Sequence, residues 1–521
     1  MVRMRNSRFK LKLLFMFLCM TLLMTLIIRN RYLKDDQFFN DIQSNGVVGG
    51  GGGGGVLVDA GMDYFMNDKI NLEMDNDDYK NDPHQQLFNE NLNVIENELE
   101  SDIQYLRDEK NKYHNLIKQM SRKDSIKYKL VGKNSIKHTN VRKPNFLILE
   151  YTKVFSQPKF CDKNSQDIFN SDLEKCQYNN CMYTCDKDDL KRADALIFHQ
   201  RDLETELISK YATDVNSWLD STEQIPFKGR IEKKLQNNRN QIWILWNDEA
   251  TFIDTSFNKI SNLFNWTLSY KTDAEIYEGS YGFVKPSQNN ITKHELLQYK
   301  KEIYFKQFKK RKNAILWFVS NCQSKYRIQI ALDISKYYPV YIFGKCDPLE
   351  GMDQSERKSK YPYLFINSVG GDNGEDCGAG SVCEMQKLNT FKYYLAFENK
   401  NCTDYLTEKV WRSLNKHIIP IVCQPDADSY KRLAIPSKSF IHLEKFEFNI
   451  QRLTNYLIEM DKRFDLYYDH LKWTYVYLRA IYDGKFTEPH RMCLLCKKLN
   501  EYTSNVYYNK IADFFNDKCQ S

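Results

Sequence analysis

The sequence of 521 residues lacks the short glycine motifs that most readily identify nucleotide-binding enzymes. Outside the glycine run at 49–55 no G-x-G-x-x-G pattern occurs, and G-x-x-x-x-G-K-[ST] is absent throughout. A dinucleotide-dependent redox enzyme and a P-loop NTPase therefore have no support. The sequence also lacks a dominant charge, because its 75 basic and 68 acidic residues are intermixed without a basic stripe. This balance argues against a nucleic-acid partner.

The composition that remains is typical of a large folded protein. The chain is longer than the roughly 250–300 residues at which one hydrophobic core stops growing, so two domains with extensions are expected. Hydrophobic residues make up 42% of the chain and aromatic residues 14%, which is too apolar for a mostly disordered protein.

A short apolar segment near the N-terminus predicts a membrane anchor. Residues 13–28 carry no charge, follow a basic tail at 1–12 and precede Arg29 and Arg31. The segment is shorter than the roughly 20 residues of a complete span, but flanking Lys and Arg side chains can snorkel. A cleaved signal peptide is the alternative, which is disfavoured because no small-x-small cleavage site follows. We therefore expect a single-pass type II protein with a cytosolic tail, a signal anchor and a luminal body.

The cysteines agree with an oxidising lumen. Of the 14 cysteines only Cys19 lies in the predicted anchor, and the others, including Cys493 and Cys496, are candidates for disulfide bonds. A zinc site at this C-x-x-C pair would need a second close ligand pair, but only Cys519 follows it. N-glycosylation patterns, which are compatible with secretion, occur at Asn265, Asn290 and Asn401.

The composition of residues 29–143 predicts a stem. The glycine run at 49–55 is a flexible linker, and residues 59–82 are rich in Asp and Asn. At 92–120 apolar residues follow an approximate 3–4 spacing, which predicts a short coiled coil that would pair two stems into a homodimer. An amphipathic helix lying on the folded region that follows is equally favoured, because Lys110 interrupts the apolar seam.

From residue 144 onward, short apolar runs alternate with polar or helical stretches, which predicts an α/β fold. Buried strands are predicted at 146–150, 195–199, 242–246, 314–320, 340–343, 394–397 and 418–422. They form two groups divided by a polar stretch at 286–312, which predicts two Rossmann-like domains facing a cleft. The predicted bounds are 144–300 for the first domain, 301–480 for the second domain and 481–521 for a C-terminal segment.

Several segments of this region resemble the α1,3/4-fucosyltransferase family, which is glycosyltransferase family 10. The most specific are Phe391-Lys-Tyr-Tyr-Leu-Ala-Phe-Glu-Asn399 and Asp404-Tyr-Leu-Thr-Glu-Lys409. Further segments that resemble the family lie at 193–202, 263–270, 281–283, 319–322, 418–422, 435–442 and 493–496. The resemblance covers residues 144–500 in consistent order and does not extend to the stem.

The resemblance implies a GT-B-like fold and an inverting enzyme that transfers L-fucose from GDP-fucose to a glycan. It implies α-(1,3) transfer to O3 of a GlcNAc residue, a Golgi membrane location, and GDP-fucose and a glycan acceptor as partners. We expect no required cofactor, with divalent cations at most stimulatory. The residues agree on this point, because the adjacent acidic pairs Asp35-Asp36 and Asp77-Asp78 lie in the predicted stem.

The segment around Lys409 also makes chemical sense without the resemblance. A helix is predicted from Tyr405 to about residue 415, capped by Asp404 or Thr403, with Glu408 and Lys409 in its first turns. A helix N-terminus and a lysine favour the same anion.

The family assigns roles to these donor-side residues. It implies that Glu408 binds the donor ribose, while Lys409 and Arg327 bind the diphosphate. The remaining residues of the predicted donor pocket are Glu398, Asn399, Tyr405, Ser320 and Asn321. The alternative for Glu408 and Lys409 is an ordinary solvated helix, and for Arg327 a surface cation on a predicted helix at 327–337.

The acceptor hydroxyl needs a general base, for which the resemblance implies Glu249. This residue follows a predicted buried strand, but the family continues as Glu-Ser whereas this chain has Glu249-Ala-Thr251. Asp248 is the competing candidate, and a helix-capping acid is the structural alternative. His199 and Arg201 match the family's acceptor-side strand end and are secondary candidates.

Two other functions remain open at this level. One is an inactive, membrane-tethered glycan-binding or scaffolding paralogue of the same fold, and the other is a transferase for a different sugar nucleotide. The presence of Arg327, Glu408 and Lys409 together favours an active donor site. The sequence leaves the acceptor open among N-acetyllactosamine antennae, the chitobiose core of N-glycans and other glycans.

Overall fold

Two parallel β-sheets form the centre of the protein. The computed structural model describes residues 129–135, 145–161, 163, 165–171, 174–203, 241–253, 263–286, 294–368, 377–475, 477–482, 484–502, 504–516 and 519–520. All of these lie in one contact unit, Asp78–Ser521. The predicted cytosolic tail (1–12), anchor (13–28) and coiled coil (92–120) lie outside the described residues. Among the helices that are described, none is long and apolar enough to cross a membrane.

The strands are numbered in chain order. The first nine are β1 (Lys129–Ser135), β2 (Phe146–Glu150), β3 (Asn170–Ser171), β4 (Glu174–Lys175), β5 (Cys181–Thr184), β6 (Ala195–His199), β7 (Ile242–Asn247), β8 (Trp266–Ser269) and β9 (Phe283–Pro286). The others are β10 (Lys312–Phe318), β11 (Val340–Gly344), β12 (Leu364–Ser368), β13 (Phe391–Leu395), β14 (Asn401–Cys402), β15 (Ile419–Val422), β16 (Ile441–His442), β17 (Tyr477–Ile481), β18 (Ser504–Tyr508) and β19 (Cys519–Gln520).

The described α-helices are numbered in the same way. They are α1 (Ser165–Phe169), α2 (Gln200–Leu203), α3 (His294–Lys310), α4 (Lys325–Ile334), α5 (Gln354–Lys360), α6 (Val382–Thr390), α7 (Glu408–Asn415), α8 (Ala427–Arg432), α9 (Ile450–Lys462), α10 (Phe464–Asp469), α11 (Gly484–Glu501) and α12 (Ile511–Asn516). Short 3-10 helices lie at Lys187–Lys191, Leu443–Phe446 and Lys472–Tyr475.

Both central sheets have the strand order of doubly wound nucleotide-binding folds. The N-terminal sheet has the order β5-β2-β6-β7-β8, and the C-terminal sheet has the order β12-β11-β10-β13-β15-β16. All of these pairings are parallel. In such sheets ligands bind outside the carboxyl ends, where the strand order reverses. The reversal falls between β10 and β13 in the C-terminal sheet and between β2 and β6 in the N-terminal sheet. The expectation of two Rossmann-like halves therefore agrees with the sheets.

Nearly continuous apolar sequence explains why these strands form. All residues of β7 are buried, since a parallel sheet covered on both faces has no solvated side. Neighbouring residues enter different cores, so that Ile244 packs with Ile148 on one face and Leu245 packs with Leu149 on the other. The predicted strands before residue 300 match β2, β6 and β7.

The bounds of five predicted strands differ from the observed ones, and several strands were not predicted. β10 begins earlier than 314, and β13 ends at Leu395 because residues 396–399 leave the sheet to form a loop at its carboxyl end. Four strands of these sheets, which have two to five residues and include polar ones, were not predicted: β5, β8, β12 and β16. Short runs carry too little periodic signal to be separated from loops.

The C-terminal segment completes the N-terminal half and does not stand alone. From α11, Met492, Leu495 and Leu499 join the core on one face of the N-terminal sheet. From α12, Ile511 and Phe514 join the core on the other face. The chain thus crosses back after the C-terminal sheet, so α11 and α12 of the predicted segment at 481–521 pack on the N-terminal half, whereas β19 pairs with β14 of the C-terminal half.

Six disulfide bonds join the described cysteines, which agrees with the predicted oxidising compartment. The pairs are Cys161–Cys185, Cys176–Cys493, Cys181–Cys496, Cys322–Cys346, Cys377–Cys383 and Cys402–Cys519. Cys493 and Cys496 therefore each bond a cysteine of the N-terminal half, which removes both thiolates as zinc ligands. Among the described cysteines Cys423 is free, and it is buried.

Part of the predicted stem belongs to the folded body. Strand β1, which lies within the predicted stem at 29–143, pairs antiparallel with β18. The tether therefore ends before Lys129, and the expected boundary at 143 is too late. The sequence signal was weak because β1 contains polar residues and glycine between its apolar ones.

The glycosylation patterns differ in accessibility. Asn265 is 1% exposed, and its side chain accepts from the Trp243 backbone N–H and donates to the Val506 carbonyl. It is therefore closed to an oligosaccharide in the folded protein, contrary to the expectation. Asn401 in β14 is half-buried, and Asn290 lies outside the described residues.

Removal of the two disulfides that anchor α11 should destabilise the protein. Replacement of four cysteines by Ala is the test: Cys176, Cys181, Cys493 and Cys496. The free energy of unfolding should fall by roughly 2–5 kcal/mol, because these bonds close loops of 317 and 315 residues. Chemical denaturation monitored by circular dichroism measures the change.

A short-loop disulfide supplies the matched control. Replacement of Cys377 and Cys383 by Ala opens a loop of only 6 residues and should cost clearly less. An equal or larger loss for this pair would contradict the assigned role of the long-range bonds.

Candidate functional site

The candidate site lies at the carboxyl ends of both sheets. In the C-terminal sheet the loops after β10 and β13 flank the point where the strand order reverses. Ser320 and Asn321 are exposed in the first loop, and Glu398 and Asn399 lie in the second. The Asn321 side chain accepts from the Gln323 backbone N–H at 2.7 Å and shapes its own loop. The predicted donor residues are therefore brought to one edge of this sheet.

Helix α7 begins later than the sequence predicted. Its first residues are Glu408 and Lys409, so both lie in the first turn at the positive end of the helix dipole. Thr407 occupies the N-cap position, where its side chain makes no cap hydrogen bond. The predicted cap Asp404 instead adopts a left-handed conformation at φ 67 within the preceding loop. The expected start at Tyr405 is therefore wrong by three residues.

A buried carboxylate orients Lys409. Glu398 is 0% exposed and accepts from the Lys409 ammonium at 2.9 Å and from the Thr407 backbone N–H at 2.8 Å. Burial raises the pKa of Glu398, although Lys409 opposes this effect. Burial alone would lower the pKa of Lys409, but the attraction of Glu398 and Glu408 outweighs it and raises that pKa. Lys409 therefore stays a fixed cation.

Glu398 acts differently from the sequence prediction. It was expected to line the donor pocket, but its complete burial directs both oxygens to Thr407 and Lys409. It positions Lys409 and does not present its own carboxylate. Glu408 is half exposed at 47%, with a carboxylate oxygen 3.4 Å from the Lys409 ammonium.

Arg327 is a buried cation and not the surface cation of the alternative interpretation. It is 4% exposed in the first turn of α4. Its terminal nitrogens donate to the carbonyls of Phe397 at 3.2 Å and Asn321 at 2.8 Å, which joins the two loops of the site. Burial lowers the pKa of Arg327, but a guanidinium remains charged at neutral pH. The Nε of Arg327 has no partner among the described residues.

Glu249 lies where the two sheets meet. It follows β7 of the N-terminal sheet, and its carboxylate accepts from the Tyr405 hydroxyl at 3.1 Å and lies 3.3 Å from the Tyr281 hydroxyl. Tyr405 belongs to the loop that leads into α7. The candidate base and the lysine helix are therefore linked through a single tyrosine.

Asp248 is occupied by other contacts. Its carboxylate accepts two hydrogen bonds from Arg491, at 2.6 and 2.9 Å, and one each from Trp246 and Ser280 at 2.5 Å. These four donors satisfy the lone pairs that a general base would need. The geometry therefore favours Glu249 over Asp248.

A second contact between the sheets surrounds Asp404. The Asp404 carboxylate accepts from the Thr272 hydroxyl at 2.6 Å, in the loop after β8, and from Arg432 Nε at 2.7 Å. Beside it, Tyr405 packs edge-on against Tyr270 with ring centroids 4.9 Å apart. These contacts hold the carboxyl ends of the two sheets together.

Gly282 is required by the close approach of its backbone to α7. A Cβ on Gly282 would lie 2.4 Å from the Trp411 ring of α7. Only glycine lets the chain leading into β9 approach this helix so closely.

His199 is a packing residue. It is 3% exposed at the end of β6, with Nδ1 hydrogen-bonded to Asp202 and its ring 4.6 Å from Phe155. Burial lowers the pKa of His199, so the imidazole is neutral at neutral pH. Arg201 follows in α2 and places its guanidinium 5.8 Å from the Phe155 ring. Both residues lie at the reversal point of the N-terminal sheet, but the contacts of His199 are structural.

Sequence reasoning missed three residues of this region. They are Tyr281, Thr407 and Arg491, which contact Glu249, Glu398 and Asp248 respectively. Tyr281 and Thr407 lay inside segments that resemble the family, so a signal existed for them. Arg491 had none, because it lies 243 residues from Asp248 in the sequence.

Comparison with known families agrees with this geometry. The family model "Fucosyltransferase, N-terminal" matches residues 143–282, and "Glycosyltransferase family 10 (fucosyltransferase) C-term" matches residues 308–514. The chain belongs to this family. It is a fucosyltransferase by class, as the resemblance around Phe391 and Lys409 implied.

Curated relatives are similar to this chain over its folded region. "Glycoprotein 3-alpha-L-fucosyltransferase A" of Drosophila melanogaster is 25% identical over 343 residues, covering 65% of this chain and 54% of that protein. The chain thus spans about half the length of that relative. "Alpha-(1,3)-fucosyltransferase 4" of Mus musculus is 24% identical over 355 residues, covering 65% and 72%. "Alpha-(1,3)-fucosyltransferase fut-6" of Caenorhabditis elegans is 26% identical, covering 69% and 76%.

Solved structures are more distant. "Crystal Structure of alpha1,3-Fucosyltransferase with GDP-fucose" aligns at 12% identity with a TM-score of 0.36, covering 71% of this chain and 94% of that one. At this level the likeness carries no argument, and the family assignment rests on the sequence comparisons.

Proposed function

We propose that this protein transfers L-fucose from GDP-fucose to a glycan hydroxyl in one inverting displacement. One observation carries the proposal: the hydrogen bond from Tyr405 to Glu249 places an acceptor-side carboxylate beside the helix that bears Lys409. A base and an anion site therefore share one cleft, as a displacement of a sugar diphosphate requires. The names of the relatives support α-(1,3) transfer, and O3 of a GlcNAc residue is the hydroxyl that we propose.

The donor side stabilises the leaving group. When the bond between the anomeric carbon and the phosphate oxygen breaks, negative charge accumulates on GDP. Lys409 and Arg327 are fixed cations at the carboxyl ends of the C-terminal sheet, and the first N–H groups of α7 add the positive end of its dipole. Because Glu398 and backbone carbonyls already hold both cations in place, little reorganisation is needed during the reaction. Glu408, half exposed beside them, would bind the donor ribose.

The acceptor side supplies the nucleophile. Glu249 removes the proton from the acceptor hydroxyl while the hydroxyl oxygen attacks the anomeric carbon of fucose. GDP departs from the opposite face of that carbon. The proton on Glu249 then passes to solvent. A β-linked donor gives an α-linked fucoside. Because the Asp248 carboxylate is already bonded to Arg491, Glu249 is the carboxylate that we assign as the general base.

Variants of the base and of the donor cations should separate their roles. Glu249→Gln preserves shape but cannot accept the proton, so turnover should fall by roughly a hundred- to ten-thousandfold with GDP-fucose binding nearly unchanged. Lys409→Ala or Arg327→Ala should lower turnover by about a hundredfold or more and also weaken donor binding. Steady-state kinetics with GDP-fucose and calorimetric titration provide both numbers.

The acceptor panel determines the reaction itself. The full chain in detergent would be supplied with GDP-fucose and with N-acetyllactosamine or chitobiose-core glycans, and the product linkage read by NMR. A protein that binds GDP-fucose without turnover would be an inactive paralogue, and preference for another nucleotide sugar would replace the proposed donor. Retention of activity in Glu249→Gln would remove the base assignment.

The two fixed cations allow the reaction to proceed without a metal. Activity should therefore persist in excess EDTA, although divalent ions would stimulate GDP release. Turnover measured with and without EDTA, followed by re-addition of Mn²⁺, tests this. Complete loss that metal reverses would show that a required metal site exists.

We also propose a Golgi membrane location with a cytosolic N-terminus. Six disulfides and the apolar segment at 13–28 support a luminal body behind an uncleaved anchor. An epitope tag at Met1 should be stained after selective permeabilisation of the plasma membrane. Staining only after the Golgi membrane is opened would reverse this topology.

A further inference from the structure

Asp248, which immediately precedes the proposed base Glu249 in the chain, forms an ion pair with the buried Arg491. Arg491 is 2% exposed, and both of its terminal nitrogens donate to the Asp248 carboxylate, at 2.6 and 2.9 Å. A bidentate pair of this kind defines the orientation of both planar groups, whereas a lysine would supply only a point charge. The two hydrogen bonds from Arg491 therefore fix the position of the Asp248 carboxylate.

The position of Asp248 is passed to Glu249 by a shared hydroxyl. The Tyr281 hydroxyl donates to the Asp248 backbone carbonyl at 2.8 Å and lies 3.3 Å from the Glu249 carboxylate. Ser280, which precedes Tyr281, donates to the Asp248 side chain at 2.5 Å. The loop that carries Tyr281 and the loop that carries Glu249 are thus joined at Asp248.

Arg491 itself is held by the C-terminal helix. It precedes Cys493 in α11, and the disulfides Cys176–Cys493 and Cys181–Cys496 attach that helix to the N-terminal half. Its guanidinium lies 5.3 Å from the ring centre of Trp246, and its Nε has no partner among the described residues. Asp248 is therefore the carboxylate that the guanidinium addresses.

Stability alone is a poor reason for such a pair. Two charges removed from water pay a desolvation penalty, and buried ion pairs are often no more stabilising than apolar residues of similar volume. What the pair provides beyond stability is a defined geometry at the end of β7. Misplacement of a reacting group by about 1 Å can lower a rate by roughly a hundredfold.

We infer that Arg491 is a positioning residue for the fucosyl transfer, which acts through Asp248 to aim the Glu249 carboxylate at the acceptor. The C-terminal helix is thereby part of the catalytic apparatus and not only a cover of the N-terminal sheet. This inference rests on the proposed function of Glu249 as the base.

The test compares turnover with donor binding in the full chain. Arg491→Ala should lower kcat by roughly ten- to a hundredfold while KM for GDP-fucose stays within about twofold, because the donor cations lie on the other sheet. Guanidinium ion added to the Arg491→Ala protein should restore part of the lost kcat. The Arg491→Lys protein should have a lower kcat than the rescued Arg491→Ala protein, because lysine lacks the bidentate fork. Asp248→Asn, which keeps the shape of the side chain, should lower kcat in the same way but by less than Glu249→Gln.

A matched control is a buried ion pair far from the site. Lys392, 1% exposed near the amino end of β13, lies 3.5 Å from Asp461. Lys392→Met should lower the thermal midpoint without changing kcat at temperatures where the protein is folded. Like Arg491→Ala, the Lys392→Met variant breaks a buried ion pair, but this pair lies far from Glu249.

Each outcome decides the inference. A lower kcat with unchanged KM and guanidinium rescue supports it. An Arg491→Ala protein that is less stable but keeps full kcat overturns it, as does an equal loss of kcat in Lys392→Met. Should Arg491→Ala fail to fold, Asp248→Asn decides by the same kinetic split. An inactive wild-type protein would instead remove the proposed function, so the two failures are distinguishable.

Discussion

The carboxyl ends of the two sheets are in contact, and both parts of the candidate site depend on that contact. Neither sheet holds a complete site, because Lys409 and Arg327 lie at the C-terminal sheet and the Glu249 carboxylate lies at the N-terminal sheet. Two hydrogen-bonded links, Tyr405 with Glu249 and Asp404 with Thr272, bring these ends together. Both links come from the same short loop before α7, so the loop that starts the lysine helix also joins the two sheets.

Buried charges are arranged on one principle throughout the site. An isolated charge is costly in a low-dielectric interior, so three of the buried cations are paired with carboxylates, while Arg327 is held by backbone carbonyls. Glu398 holds Lys409, Asp404 holds Arg432, and Asp248 holds Arg491. In the first pair the cation is the functional member and the carboxylate positions it. In the third pair both members support a neighbour, which leaves Glu249 as the carboxylate with hydroxyl partners only.

The C-terminal segment links the two halves through the chain itself. After the C-terminal sheet the backbone returns to cover both faces of the N-terminal sheet, and two disulfides secure it there. The N-terminal half is therefore built from the beginning and the end of the folded region, with the C-terminal sheet inserted between them. A boundary placed by composition alone misses this, since α11 and α12 look like any other amphipathic helices.

The α/β class, the core strands and the family follow from the sequence, which also predicted most residues of the proposed donor side. It could do so because parallel strands are written as continuous apolar runs, and the segment from Phe391 to Lys409 is short and contiguous. Contacts in the folded protein decide which cysteines pair, where α7 begins, why Asn265 is closed to glycosylation, and that Arg491 binds Asp248 whereas the Glu249 carboxylate contacts hydroxyls only. Those outcomes depend on contacts between residues far apart in the chain, such as Arg491 with Asp248, and local sequence carries no record of a partner hundreds of residues away.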